Sequence, residues 1–123
     1  MPLKIMTNEK KEGVFIISPV GEIDSQTYEG FEREITSVLE RRPRAVVIDM
    51  EGVVYLSSMG LSSILKSKRD AEEKNISFIL TNLQPRIRKV FEIVKVIPRL
   101  LMFSSRQEVD AYLLELQKED NGA

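Results

Sequence analysis

The sequence predicts a single α/β domain: a mixed, mostly parallel β-sheet with about four helices. Three observations carry this expectation. The hydrophobic period alternates repeatedly between strand-like and helix-like segments along the 123 residues. Ala45-Val46-Val47-Ile48 is a continuous apolar run, the pattern of a strand covered on both faces. Turn and cap residues bound each segment, with no linker, repeat or low-complexity tract between them.

The chain opens with two β segments. Leu3, Ile5 and Thr7 alternate with polar residues, Lys10-Lys11-Glu12-Gly13 makes a turn, and Val14-Phe15-Ile16-Ile17 is a compact apolar run. Pro19 cannot donate to a ladder, so the strand ends or shifts there and resumes through Val20-Gly21-Glu22-Ile23. From Ser25 the period becomes helical, with Tyr28, Phe31, Ile35, Val38 and Leu39 on one face. Asp24 or Ser25 is expected to cap this helix, and Arg41-Arg42-Pro43 to stop it. After the run at Ala45–Ile48, the segment Met50–Leu56 reads as a turn leading to a helix opened by Ser57 or Ser58, with Leu61, Ile64, Leu65 and the stem of Lys68 as its inner stripe.

Lys74-Asn75 ends that helix, because asparagine tolerates the left-handed cap conformation. Ser77–Leu80 is a strand. Pro85 opens a helix with Ile87, Val90, Phe91 and Val94 inward. Leu100–Phe103 is a last short strand, and Ser105-Arg106-Gln107-Glu108 a capping box for a helix carrying Val109, Tyr112, Leu113 and Leu116. The order is β-β-α-β-α-β-α-β-α. Right-handed crossovers make most of such a sheet parallel, with the opening strands as an antiparallel edge. The domain is expected over residues 1–118, with 119–123 a disordered C-terminal tail.

Composition excludes much chemistry. There is no cysteine and no histidine, which removes disulfides, thiolate metal sites, cysteine nucleophiles and Ser-His triads. No cofactor or metal is expected, and enzyme activity is not. A net charge of −1 gives no reason to expect nucleic acid. Arg86, Arg88, Lys89, Lys95 and Arg99 read as a solvated helix face without interleaved aromatics. No apolar run reaches the length of a membrane span and MPLKIMTNEKK lacks a signal-peptide core, so a cytoplasmic location is expected.

The chemistry-bearing stretch is YLSSMGLSSIL, Tyr55–Leu65. It leaves the carboxyl end of a strand and enters a helix, where ligand sites of open α/β sheets gather. A helix start offers unpaired N–H groups and partial positive charge, so a phosphoryl group on Ser58 would be tolerated there. Ser-Ser before an amphipathic helix is equally a plain N-cap, with Gly60 permitting close packing. One glycine without a following Gly-Lys-Ser/Thr is no P-loop. Ser62 and Ser63 read as exposed helix positions, Asp49 as a strand-end turn residue.

Four blocks in order, spanning roughly residues 3 to 117, tip the balance: Val20-Gly21-Glu22-Ile23-Asp24, VVIDMEGVVYLSSMGL, FILTNLQPRIRKVFEIV and LLMFSSRQEVDAYL. Together they resemble the STAS-domain family, and within it the single-domain bacterial anti-sigma factor antagonists. The resemblance implies a STAS-like fold and a phosphorylation acceptor at Ser58. It implies binding to an anti-sigma factor that is also a serine kinase, release of a sigma factor, and reset by a PP2C-type phosphatase. Familiar members carry Asp-Ser-Ser-Gly where this chain has Ser57-Ser58-Met59-Gly60, so Ser57 is the rival acceptor. Asp24 aligns with the family's acidic residue near the acceptor, there to orient Ser58, to repel the phosphate, or simply to cap the helix. Asp24, Ser57, Ser58, Met59, Gly60 and Leu61 are the expected partner-binding residues. The alternatives are a STAS subunit of another signalling or lipid-transport assembly, with the serine unmodified, and a small-ligand domain with weak nucleotide binding.

Overall fold

The structure is a computed structural model and describes residues 2–93, 101–103 and 105–122. The elements are β1 (Lys4–Lys11), β2 (Val14–Ile23), α1 (Tyr28–Glu40), β3 (Ala45–Asp49), β4 (Val53–Leu56), α2 (Ser58–Glu73), β5 (Ser77–Thr81), α3 (Pro85–Ile93), β6 (Leu101–Phe103) and α4 (Arg106–Gly122). The sheet order is β1-β2-β3-β5-β6, with β4 beside β2. β1 and β2 pair antiparallel, and the β2–β3, β2–β4, β3–β5 and β5–β6 pairs are parallel. The mixed, mostly parallel sheet with four helices is the expected α/β fold. Helix α4 runs through Gly122, past residue 118, where the sequence reading ends the domain. Val94, Lys95, Arg99 and Leu100 lie outside the described residues.

Strand alternation divides β2 between two layers. Phe15 and Ile17 pack with Val46, Ile48, Phe78 and Leu80 against Phe31, Ile35 and Leu39 of α1 and Ile64 of α2. Val14 and Ile16 face the other way, with Val47, Ile79 and Val109 of α4. Ala45–Ile48 is buried throughout, as a strand covered on both faces must be. Each such aliphatic side chain contributes roughly 1.5–3 kcal/mol on burial.

β4 is the element absent from the sequence reading, which treats Met50–Leu56 as a turn. It exists because β2 changes partner at Pro19. Below the proline, Val14–Ile17 ladder onto β3. Above it, Gly21–Ile23 ladder onto β4. Gly21 takes φ 127, a conformation that side chains rarely adopt, and donates its N–H to the Gly52 carbonyl at 2.9 Å. The result is a second short ladder carrying the chain straight to α2.

Two further points concern helix ends and faces. α1 proper begins at Tyr28, after Thr27, which makes no side-chain cap bond; the capping expected of Asp24 falls one turn earlier, where its Oδ1 accepts the Gln26 and Thr27 N–H groups and its carbonyl accepts the Tyr28 N–H. Residues 24–27 form a tight turn ahead of the helix. Ser63, expected at an exposed position, is only 2% exposed. It donates to Glu32 Oε1 at 2.9 Å, while Lys66 donates to Oε2 at 3.0 Å. Ser67 and Ala71 are buried on the same face of α2. Small side chains there leave room for α1, and Glu32 supplies the polar tie between the two helices. Other boundaries fall as expected: Asn75 takes φ 59 after α2, Pro85 opens α3, and Ser105 accepts from the Glu108 N–H at 3.3 Å.

The Lys66 hydrogen bond, with help from Ser63 and against some burial, holds the Glu32 carboxyl below the usual glutamate range. A depressed folded value stabilises the fold above the ordinary carboxylate range and is lost as pH falls through the lower folded value. Ser63→Ala should therefore cost about 1–2 kcal/mol in urea denaturation at neutral pH. The gap from the parent should narrow in acid, once Glu32 is protonated in both.

Candidate functional site

The serine turn sits where the end of β2 and the start of α2 meet. The Ser57 N–H donates to the Ile23 carbonyl at 2.9 Å, pinning the turn to the residue before Asp24. Ser57 is extended (φ −82, ψ 172) and is the N-cap: its Oγ accepts from the Gly60 N–H at 3.2 Å. Its carbonyl accepts the Leu61 N–H at 2.9 Å, the first bond of the helix. Ser58 is the first helical residue, exposed, and its hydroxyl makes no hydrogen bond among the described residues. The two serines therefore differ in kind. One hydroxyl is occupied by the backbone; the other faces solvent.

Gly60 explains how the turn comes so close to the sheet. A Cβ placed there would lie 2.7 Å from Ile23 Cγ2, 2.7 Å from Leu56 Cδ1 and 3.0 Å from the Ile23 carbonyl oxygen. Two of these contacts are with core side chains packed around the turn, and the third is backbone. Met59 and Gly60 consequently diverge: Met59 is 41% exposed while Gly60 and Leu61 are buried. Of the residues expected to bind a partner, Ser58 and Met59 offer the most surface, Ser57 and Asp24 an intermediate amount, and Gly60 and Leu61 support from beneath.

Asp24 lies beside this turn but spends its carboxylate on its own. Oδ1 accepts the Gln26 N–H at 2.9 Å and the Thr27 N–H at 3.1 Å. The Thr27 hydroxyl donates to the Glu22 carbonyl at 2.7 Å and accepts the Asp24 N–H at 2.9 Å. The Gln26 hydrogen bond, followed by those from Thr27, holds Asp24 below the usual aspartate range against a smaller opposing desolvation. Asp24 is thus a fixed negative charge at neutral pH. Its carboxylate hydrogen bonds go to Gln26 and Thr27, and none reaches Ser58. Asp49 behaves as a strand-end turn residue, accepting from the Glu51 N–H and from Asn82 Nδ2, each at 3.1 Å.

Sequence reasoning passed over two residues of this surface. Val54 and Tyr55 of β4 are 52% and 48% exposed, so large apolar groups precede the serine turn on its strand side as Met59 follows it on the helix side. An apolar tetrad between turn residues was the available signal, but without the β4 ladder it does not reveal which side chains turn outward. Among the described residues no group of three or more carboxylate, cysteine or histidine side chains is placed to hold a metal ion. No helix among the described residues is long and apolar enough to cross a membrane.

Fold and serine turn together define an α/β domain with an exposed serine at the start of its second helix. Residues 6–109 match the STAS domain, and the chain belongs to that family. It is 28% identical over 106 residues to BtrV of Bordetella bronchiseptica, a candidate anti-sigma factor antagonist, covering 86% of this chain and 91% of that one. It is 25% identical over 109 residues to the anti-sigma F factor antagonist of Lysinibacillus sphaericus, covering 88% and 90%. An anti-sigma factor antagonist from Mycobacterium paratuberculosis shares the fold with a TM-score of 0.81 at 22% identity, over 89% of this chain and 92% of that one. The chain is therefore related to the anti-sigma factor antagonists.

Gly60→Ala tests the packing. Within an ordinary helix this change gains up to about 1 kcal/mol. Here overlap with Ile23 and Leu56 should outweigh that gain, for a net loss of about 1–3 kcal/mol in chemical denaturation.

Proposed function

We propose that this chain is an anti-sigma factor antagonist switched by phosphorylation of Ser58. Unphosphorylated, it binds an anti-sigma factor that is also a serine kinase, and a sigma factor is released. Phosphorylation breaks the complex, and a PP2C-type phosphatase restores the binding form. The observation that carries this reading is the division between the two hydroxyls. Ser57 Oγ is engaged with the Gly60 N–H, whereas Ser58 is exposed on the first turn. A kinase needs an accessible hydroxyl, which favours Ser58 over Ser57 as the acceptor.

Magnitudes give the switch its direction. A phosphate at the start of α2 gains only about 0.3–1 kcal/mol from the helix dipole. The same dianion in a packed interface, without a compensating cation, costs several kcal/mol in desolvation and repulsion. The ionised Asp24 beside the turn adds repulsion of the same sign. Because about 1.4 kcal/mol is tenfold in affinity, one phosphate moves binding by orders of magnitude while the fold is left alone. Val54, Tyr55 and Met59 supply apolar contact area around the serine, Met59 with an adaptable side chain.

Ser58→Ala should bind the anti-sigma factor as the parent does and accept no phosphate. Ser58→Asp should bind at least roughly tenfold more weakly. Ser57→Ala should lose about 1 kcal/mol of stability with its cap yet still be phosphorylated. Calorimetric titration of these variants and mass spectrometric mapping of the phosphate check all three. Parent-like binding by Ser58→Asp, or phosphate found on Ser57, would sink the reading.

A further inference from the structure

The opposite end of the sheet carries a feature that the serine switch does not use. Where the β1–β2 turn meets the chain between α1 and β3, Lys11, Glu12, Gly13, Arg42 and Arg44 line an open cleft of about 480 Å³. The Gly13 carbonyl accepts the N–H groups of Arg44 at 2.7 Å and Ala45 at 3.2 Å, so backbone holds the two walls together. Lys11, Arg42 and Arg44 are exposed, and none has an ion-pair partner among the described residues. Neighbouring charges are already engaged. Lys10 pairs with Asp110 at 3.1 Å, Glu9 accepts the Gly13 N–H at 2.9 Å, and the Arg41 guanidinium lies 4.7 Å from the centre of the Phe15 ring. Glu12 is the one acidic wall.

Arg42 adds a second indication. It follows the C-cap of α1 with φ 54, the left-handed position that helix ends usually give to glycine. An arginine there carries a backbone cost that a glycine would avoid, and no close approach among the described contacts demands it. What it provides is a cation on the cleft wall.

We propose that this cleft docks an acidic segment of a partner protein, a run of aspartates and glutamates laid across Lys11, Arg42 and Arg44. The exposure of the cations selects this class. In high dielectric each charge pair is weak and screened, so a single small anion is held poorly, whereas a chain of carboxylates engages several cations at once. A nucleic-acid strand fits less well, because the Phe15 ring is buried under Arg41 and offers no face for a base to stack on. The docking site is independent of Ser58, so it can hold a partner in both phosphorylation states.

Fluorescence anisotropy of a labelled octaglutamate peptide, titrated with the whole chain, tests this directly. Saturable binding that fades at high salt is expected. Lys11→Glu and Arg42→Gly should each weaken it several-fold, and Ser58→Asp should leave it unchanged. Arg42→Gly is the decisive variant, because glycine relieves the left-handed strain and the protein should melt no lower than the parent. No saturable binding, parent-like binding by Lys11→Glu and Arg42→Gly, or displacement of the peptide by an oligothymidylate at lower concentration would each overturn the proposal. Loss of peptide binding in Ser58→Asp would overturn its independence from the serine switch.

Discussion

Helix α2 begins almost on top of the last residue of β2, and that close approach governs the rest of the serine-bearing surface. The Ser57 N–H is bonded to the Ile23 carbonyl, and Gly60 lies where any Cβ would strike Ile23 and Leu56. Residues on either side of Gly60 then have no freedom of direction. Ser57 turns its hydroxyl back to the helix, Leu61 packs inward, and Ser58 and Met59 face outward. A glycine chosen for space thus decides which serine meets solvent.

This arrangement depends in turn on a change of partner within one strand. β2 runs unbroken through Pro19 along β1 but changes its other neighbour there, pairing with β3 below the proline and with β4 above it. Since β4 continues the chain from β3, the second ladder brings Leu56 and Ser57 beside Ile23. The tie from Glu32 to Ser63 and Lys66 then joins α1 to α2, so the two helices that flank the site pack as a unit. Stability and presentation rest on the same contacts here. A covalent charge on Ser58, as proposed, would leave them intact because that hydroxyl takes no part in them.

Charge is also divided along the sheet. Asp24 and Asp49 stand at strand carboxyl ends, Asp24 accepting N–H groups from its own turn and Asp49 accepting from Glu51 and from Asn82 after β5. Lys11, Arg42 and Arg44 gather at the other end. A net charge near zero conceals this polarity, because opposite clusters cancel in the sum while remaining separate in space.

Local chemistry alone dictated a good part of this molecule. The apolar run Ala45–Ile48 demanded a doubly covered strand, Asn75 a left-handed helix end, Pro85 a helix start, and Ser57-Ser58 a capped turn, since each depends on its own neighbours in the chain. The STAS pattern was readable for the same reason: its blocks are contiguous. Residues whose roles depend on distant partners were misread. β4 forms only because β2 offers it an edge, and Ser63 is buried only because Glu32 lies across from it. The difference between Ser57 and Ser58 likewise arises in three dimensions. Two identical hydroxyls in sequence become unlike when folding gives one of them a backbone N–H to hold and leaves the other to water.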